Sequence, residues 1–183
     1  EPGEIDRLRW AAEATDRVLA RVADEIEFAG RTERDIAAHL ARMTVEEGHD
    51  RSWFTIVASG SKSASPHHEP GARVVAEGDM VVCDFGGTID GYHSDVTRTF
   101  VVGEPSDRQT EVYEVVRAAN QTGRDAIAPG VRCEDVDRAA RRVIDDAGYG
   151  EYFIHRTGHG IGLEGHEHPY IVKGNDLMLE AGM

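Results

Sequence analysis

Between Glu4 and Phe28 the apolar residues Trp10, Ala14, Val18, Val22 and Ile26 recur every three or four positions. That spacing predicts an amphipathic helix, and Gly30 suits its end. Thr32-Glu33-Arg34-Asp35 reads as the start of a second helix with Thr32 as its cap. Ile36, Leu40 and Met43 form the buried stripe there, and Gly48 suits the stop. Trp53 to Ala58 reads as a strand, and Ser59 to Gly71 as a loop rich in Ser, Pro and His. Val81 to Phe85 is a short apolar strand, Gly86-Gly87 and Asp90-Gly91 are turn signals, and Val96 to Val102 is a further strand. Helical periodicity returns from Asp107 to about Ile127, carrying Val112, Val116 and Ala119, until Pro129-Gly130 breaks it. Glu134 to Ala147 is helical again, with Val136, Ala140, Val143 and Ile144 on one side. Gly148 ends that helix, and Tyr152 to Ile154 reads as a strand.

This order repeats. Gly30, Asp35, Ile36, Gly48 and Trp53 each have a counterpart one hundred residues on, in Gly130, Asp135, Val136, Gly148 and Phe153. The repeat predicts two α/β halves, about 1–104 and 105–183, related by a pseudo-twofold axis and facing each other across a cleft.

Composition narrows the class. With 183 residues, 40% hydrophobic and 30% charged, the chain is long enough for a packed core and reads as globular. The formal charge of −14 repels phosphate backbones and argues against nucleic acid as a partner. The two cysteines, Cys83 and Cys133, form no CxxC pair, and Cys83 lies in an apolar run; both points fit a reducing, cytoplasmic setting. No apolar run approaches a membrane span, and Glu1-Pro2-Gly3-Glu4 is no signal peptide.

Two stretches carry chemistry. Asp84 ends one apolar strand and Asp95 opens the next, eleven residues later, with glycines between. A hairpin would bring both carboxylates to one end. Two like charges that close raise each other's pKa unless a cation lies between them, and carboxylates on a rigid scaffold suit hard divalent metals. Taken alone, such a pair of aspartates reads rather as a strand-end turn residue and a salt-bridge partner. The second stretch runs from His155 to Pro169. His159 lies between two glycines, which allow close backbone approach, and His166 follows seven residues later. One such histidine reads as a surface or satisfied core ring. Four here, with His67 and His68 in the earlier loop, favour a metal site.

The stretch Asp84 to Phe100, containing Ser94-Asp95-Val96-Thr97-Arg98-Thr99-Phe100, and the run His155-Arg156-Thr157-Gly158-His159-Gly160-Ile161-Gly162 resemble the signatures of the pita-bread metallopeptidases. Within that superfamily the fit is closest to the proline-specific peptidases, prolidase and aminopeptidase P, and it extends from about Glu4 to Met183. The resemblance implies an α/β pita-bread fold, with two pseudo-twofold halves around a curved antiparallel sheet. It implies Asp84 as a chelating ligand of one metal, Asp95 as a carboxylate bridging two metals and His159 as the histidine ligand. It implies His67 as a residue of the substrate pocket, and His166 as the residue steadying the substrate carbonyl and the tetrahedral intermediate. His68, His93, His155 and His168 match no catalytic role in the family, and Arg98, Arg156 and Glu164 read as structural.

The implied reaction is two-metal hydrolysis of the peptide bond preceding proline, in dipeptides or short peptides. Mn²⁺ is favoured by the oxygen-rich ligand set, with Co²⁺ or Zn²⁺ as alternatives. The expected partners are a peptide with proline in second position and, in the full-length protein, a second copy forming a homodimer. The alternatives are a creatinase-like C–N hydrolase and a non-catalytic binding module on the same fold. Glu77-Gly78-Asp79-Met80 leads into the strand of Asp84, and Glu180-Ala181-Gly182-Met183 has the same form at the end of the chain. The expectation is therefore a catalytic domain lacking its C-terminal strands, their two glutamate ligands and an N-terminal domain, with an incomplete and inactive metal site.

Overall fold

The structure is a computed structural model and describes residues 2–183. It divides into two compact units. One comprises the described residues up to Pro105 with Ile161–Gly165, and the other Ser106–Gly160 with His166–Met183.

The first unit opens with helices α1 (Pro2–Glu25) and α2 (Glu33–Glu46). Thr32 caps α2 as expected, its hydroxyl accepting from the Asp35 N–H at 3.1 Å. Strand β1 (Arg51–Ser59), a 3-10 turn at Gly60–Ala64, β2 (Met80–Ile89), β3 (Tyr92–His93) and β4 (Val96–Val101) follow. All pairings are antiparallel: β1 lies along one side of β2, and β3 and β4 along the other. The helical face of this sheet holds the core, in which Val18, Val22, Ile36, Leu40 and Met43 pack on Val57, Val81, Cys83 and Phe85. Strand alternation then places Val82 and Asp84 on the opposite face.

Two expectations change here. The apolar stripe of α1 runs through Ala11, Ala14, Val18 and Val22 and continues to Ile26 just past the helix, while Trp10 is 52% exposed. A large ring one position off the stripe projects past the helix–sheet contact. Gly86-Gly87 is not a turn either. Strand β2 continues through both glycines to Ile89, the reversal falls at Asp90-Gly91, and Asp84 sits mid-strand rather than at a strand end. The glycines are needed for close approach. A Cβ on Gly86 would collide with the Ser94 carbonyl, and one on Gly87 with the His49 ring.

The second unit contains α3 (Asp107–Asp125), α4 (Cys133–Asp146), a 3-10 turn at Gly150–Tyr152, and the antiparallel pair β5 (Gly158–Gly160) and β6 (Glu167–Ile171). A capping box between Ser106 and Gln109 starts α3. The strand expected at Tyr152–Ile154 is absent. The main chain there turns instead, and the Phe153 carbonyl accepts from the Arg141 guanidinium at 2.7 Å. Val116, one of the periodic apolar residues of α3, is 54% exposed. The core here is small, with Cys133, Val136 and Leu179 joined by Ala126, Val131 and Ile171.

The backbone supports the internal repeat. Gly30 N–H bonds the Val75 carbonyl at 2.9 Å, and Gly130 N–H the Leu179 carbonyl at 2.8 Å. The return bonds also match, from Val75 to Arg31 at 2.9 Å and from Leu179 to Val131 at 2.8 Å. Glu33 N–H to Arg73 (3.0 Å) corresponds to Cys133 N–H to Leu177 (2.9 Å).

Candidate metal and substrate site

In the first unit, Asp84 faces Thr97 across the β2–β4 ladder, and the Thr97 hydroxyl donates to Asp84 Oδ1 at 2.8 Å. Both side chains therefore lie on the sheet face away from the core. Alternation carried back two residues from Thr97 puts the exposed Asp95 on that face as well, diagonal to Asp84.

What holds Asp95 in place is the residue before it. Ser94 is 5% exposed, and its hydroxyl lies 2.7 Å from the Thr15 hydroxyl and 3.0 Å from His49 Nε2, while accepting from Gly87 N–H at 3.1 Å. The Ser94 carbonyl accepts from Trp53 Nε1 at 3.0 Å. His49 Nδ1 faces the Thr44 carbonyl at 3.0 Å; a carbonyl only accepts, so Nδ1 carries the hydrogen and Nε2 receives the hydroxyl. Burial lowers the His49 pKa, which keeps the ring neutral and the web consistent. Nothing in the sequence around His49 or Thr15 marks them for this task, because their partners lie 45 and 79 residues away.

His67 is exposed in the turn after the 3-10 segment, with φ of 60°. Its neighbour His68 donates through Nε2 to Glu33 Oε2 at 2.8 Å. His93 also has a structural task. Its N–H bonds the Gly162 carbonyl at 2.8 Å and its ring packs edge-on to Trp53, which in turn lies against Gly165. These contacts seat the segment Ile161–Gly165 in the first unit.

In the second unit, His159 pairs with Tyr170 across β5 and β6, and a bulge separates it from Gly160. A side chain on Gly160 would press on the His168 and Glu167 carbonyls. His159 Nδ1 faces the Gly160 carbonyl at 2.9 Å, so Nδ1 carries the hydrogen and Nε2 keeps the lone pair. The ring of His166 lies beside it, with centroids 4.2 Å apart. The approach to His159 is braced by Asp137, which is 1% exposed. Asp137 accepts from Arg141 at 3.0 Å through each oxygen and from the Thr157 hydroxyl at 2.7 Å. Arg141 also donates to the Phe153 and His155 carbonyls at 2.7 and 3.0 Å. Burial alone would raise the Asp137 pKa, but these donors bring it below the ordinary value. His155 and His168 are occupied locally, His155 with the Arg156 carbonyl and His168 against Tyr170.

Carboxylate oxygens held on a rigid strand pair, as at Asp84 in the first unit, are of the donor type that suits a hard divalent ion. In the second unit, His159 separately presents the lone pair of Nε2.

The chain belongs to metallopeptidase family M24, whose model matches residues 6–183. It is 53% identical over 184 residues to a probable dipeptidase PepE of Mycobacterium tuberculosis, covering 100% of this chain and 49% of that protein. It is 40% identical to a Xaa-Pro dipeptidase of Pyrococcus furiosus, covering 98% of this chain and 52% of that protein. Among solved structures, dipeptidase PepE from Mycobacterium ulcerans superposes with a TM-score of 0.97 at 50% identity, and prolidase from Pyrococcus furiosus with 0.96 at 39%. These superpositions cover 100% of this chain and 49% and 54% of the two structures. The mixed α/β, pita-bread class expected from the motifs is thereby borne out. The chain spans about half the length of the relatives it matches.

Proposed function

We propose that the protein of which this chain is part hydrolyses the N-terminal Xaa-Pro bond of dipeptides or short peptides with divalent metal. Asp84, Asp95 and His159 are the metal ligands in this reading, and His67 and His166 act on substrate. The observation that carries it is the placement of Asp84 and Asp95 on one face of the β2–β4 pair, opposite the core. Chain-long similarity to proteins named Xaa-Pro dipeptidase supports the substrate class.

Divalent ions at these residues would supply Lewis acidity and lower the pKa of a shared water. The chain's own contribution is to hold the donors still. The Ser94 web fixes the backbone of Asp95, Thr97 orients Asp84, and the Gly160 carbonyl sets the His159 tautomer. His166, beside His159, is suited to donate a hydrogen bond to the oxygen on which charge develops. Mn²⁺ is the favoured ion, since two of the three proposed ligands are carboxylates. The buried free thiols Cys83 and Cys133 suit a reducing compartment such as the cytoplasm.

The test is hydrolysis of Xaa-Pro dipeptides and Xaa-Pro-Xaa tripeptides by the intact protein, with Mn²⁺ titrated after chelation. Activity on Xaa-Pro substrates that vanishes with chelator and returns with metal is expected. Metal-independent turnover, or turnover indifferent to proline, would overturn the reading.

A further inference from the structure

Glu33 is unusual among acids in a helical first turn. An acid there ordinarily faces water, where it meets the helix dipole. Glu33 is instead 1% exposed. Its two oxygens take four donors: the Ser59 N–H at 2.8 Å, the Ser59 hydroxyl at 2.7 Å, His68 Nε2 at 2.8 Å and the Gly71 N–H at 3.2 Å. Burial alone would raise its pKa, and the donors, His68 foremost, bring it below the ordinary carboxylate value. An ionised, buried carboxylate is tolerated only when so fully satisfied.

The four donors share one feature. Ser59 is the last residue of β1, and His68 and Gly71 lie in the later part of the loop that follows. Arg73 completes the base, donating to the Ser59 hydroxyl and to both oxygens of Asp79 at 2.6 to 2.9 Å. The loop between carries His67, a non-glycine residue at φ of 60°. That conformation costs on the order of 1–3 kcal/mol and persists only where the surroundings impose it. The hydrogen bond from the very next residue, His68, to Glu33 anchors that turn to the start of α2.

The internal repeat supplies an independent control. The backbone position of Glu33 corresponds to that of Cys133, by the matching bonds to Arg73 and Leu177. Both side chains are buried. A small apolar thiol therefore satisfies the packing of this position, and the fold itself does not call for a carboxylate there. What distinguishes the first unit is the histidine-bearing loop.

The geometry points to Glu33, acting through His68, as a positioning residue that holds the His67 turn toward substrate. This rests on the reading that His67 contacts the peptide. Neither residue touches the reacting atoms; together they fix where His67 stands. Displacing a substrate-contacting group by about 1 Å costs on the order of 10²-fold in rate.

The test is a double-mutant cycle on the intact, metal-loaded protein, comparing His67→Ala, His68→Ala and the combination on an Xaa-Pro dipeptide. Glu33→Gln serves as the conservative variant, and metal content and Tm are measured throughout. His68→Ala is expected to lower kcat/KM by tens of fold, mainly through KM, with metal content held and a lower Tm, since Glu33 loses a donor, but with the protein still folded at the assay temperature. The double variant should then be no worse than His67→Ala alone, because His68 acts only through His67. Glu33→Gln, which keeps an accepting oxygen, should fall between wild type and His68→Ala. If His67→Ala leaves kcat/KM unchanged, the substrate role of His67 fails and the positioning role fails with it. If His67→Ala is impaired but His68→Ala is not, or if the two losses multiply, only the positioning role is overturned.

Discussion

The two units share a backbone plan and differ in how much of their apolar surface they cover. In the first, α1 and α2 lay Val18, Val22, Ile36, Leu40 and Met43 against a four-stranded sheet, and each of these side chains is fully buried. In the second, α3 follows the same helical order, yet Tyr113 and Val116 are about half exposed, and the sheet has two short strands. Equivalent main-chain bonds at Gly30 and Gly130, or at Glu33 and Cys133, show that the helix–turn–helix plan does not depend on filling the core equally. The plan is carried by main-chain hydrogen bonds; the stability resides in side-chain burial. The proposed chemistry is divided similarly. The carboxylates Asp84 and Asp95 come from the well-covered unit, and His159 and His166 from the other.

The largest expected effect separates the two contributions. Asp95→Asn in the intact protein should lose bound metal and fall to background turnover while keeping the circular dichroism of the wild type. His166→Ala should keep its metal and lose kcat. Normal turnover by Asp95→Asn would remove Asp95 from the ligand set. Metal loss in His166→Ala, with catalysis restored by added metal, would reassign that histidine.

Burial comes next. Leu40→Ala should cost about 2–5 kcal/mol in denaturant titrations, as for other fully buried leucines. A cost under about 1 kcal/mol would mean that the first unit's core is not what holds the fold.

Smaller is the effect of the buried carboxylate in the second unit. Asp137→Asn should cost about 1–3 kcal/mol, since Arg141 and Thr157 lose an ionised acceptor. The pH dependence has a definite sign. The Asp137 pKa is lowered on folding, so its stabilisation is fully present above the ordinary aspartate value of 3.8 and is lost as pH falls below it. Glu33 behaves likewise below the ordinary glutamate value of 4.5. Acid titration of stability should therefore be shallower in Asp137→Asn than in wild type, and identical slopes would refute the assignment.

At the bottom of the scale, Val116→Ser on the open face of α3 should change stability by no more than about 0.5 kcal/mol. A loss comparable to that at Leu40 would show that this face is covered in solution.

Much of the molecule is legible in the order of its residues. The four helices, the cap at Thr32, the hundred-residue repeat and the motif residues Asp84, Asp95 and His159 all follow from local spacing and residue type. Helices and caps are decided within four residues, and motifs by their order along the chain. Local reading fails where a distant partner intervenes. Gly86-Gly87 resembles a turn, but the pair accommodates Ser94 and the ring of His49, so the strand runs on. Phe153 resembles the partner of Trp53, but Arg141 captures its carbonyl and no strand forms. Trp10 fits the helical spacing yet stands one position off the contact line.

By itself, then, the sequence determined the family, the helical framework and the motif residues on which the proposed chemistry rests, because each depends on neighbours in the chain. Only the tertiary structure decided that Glu33 is buried, that His68 rather than His67 is its partner, and that Ser94 and Asp137 brace the segments leading to Asp95 and His159. Those roles require donors 20 to 79 residues apart to meet one acceptor, and no local pattern encodes such a meeting.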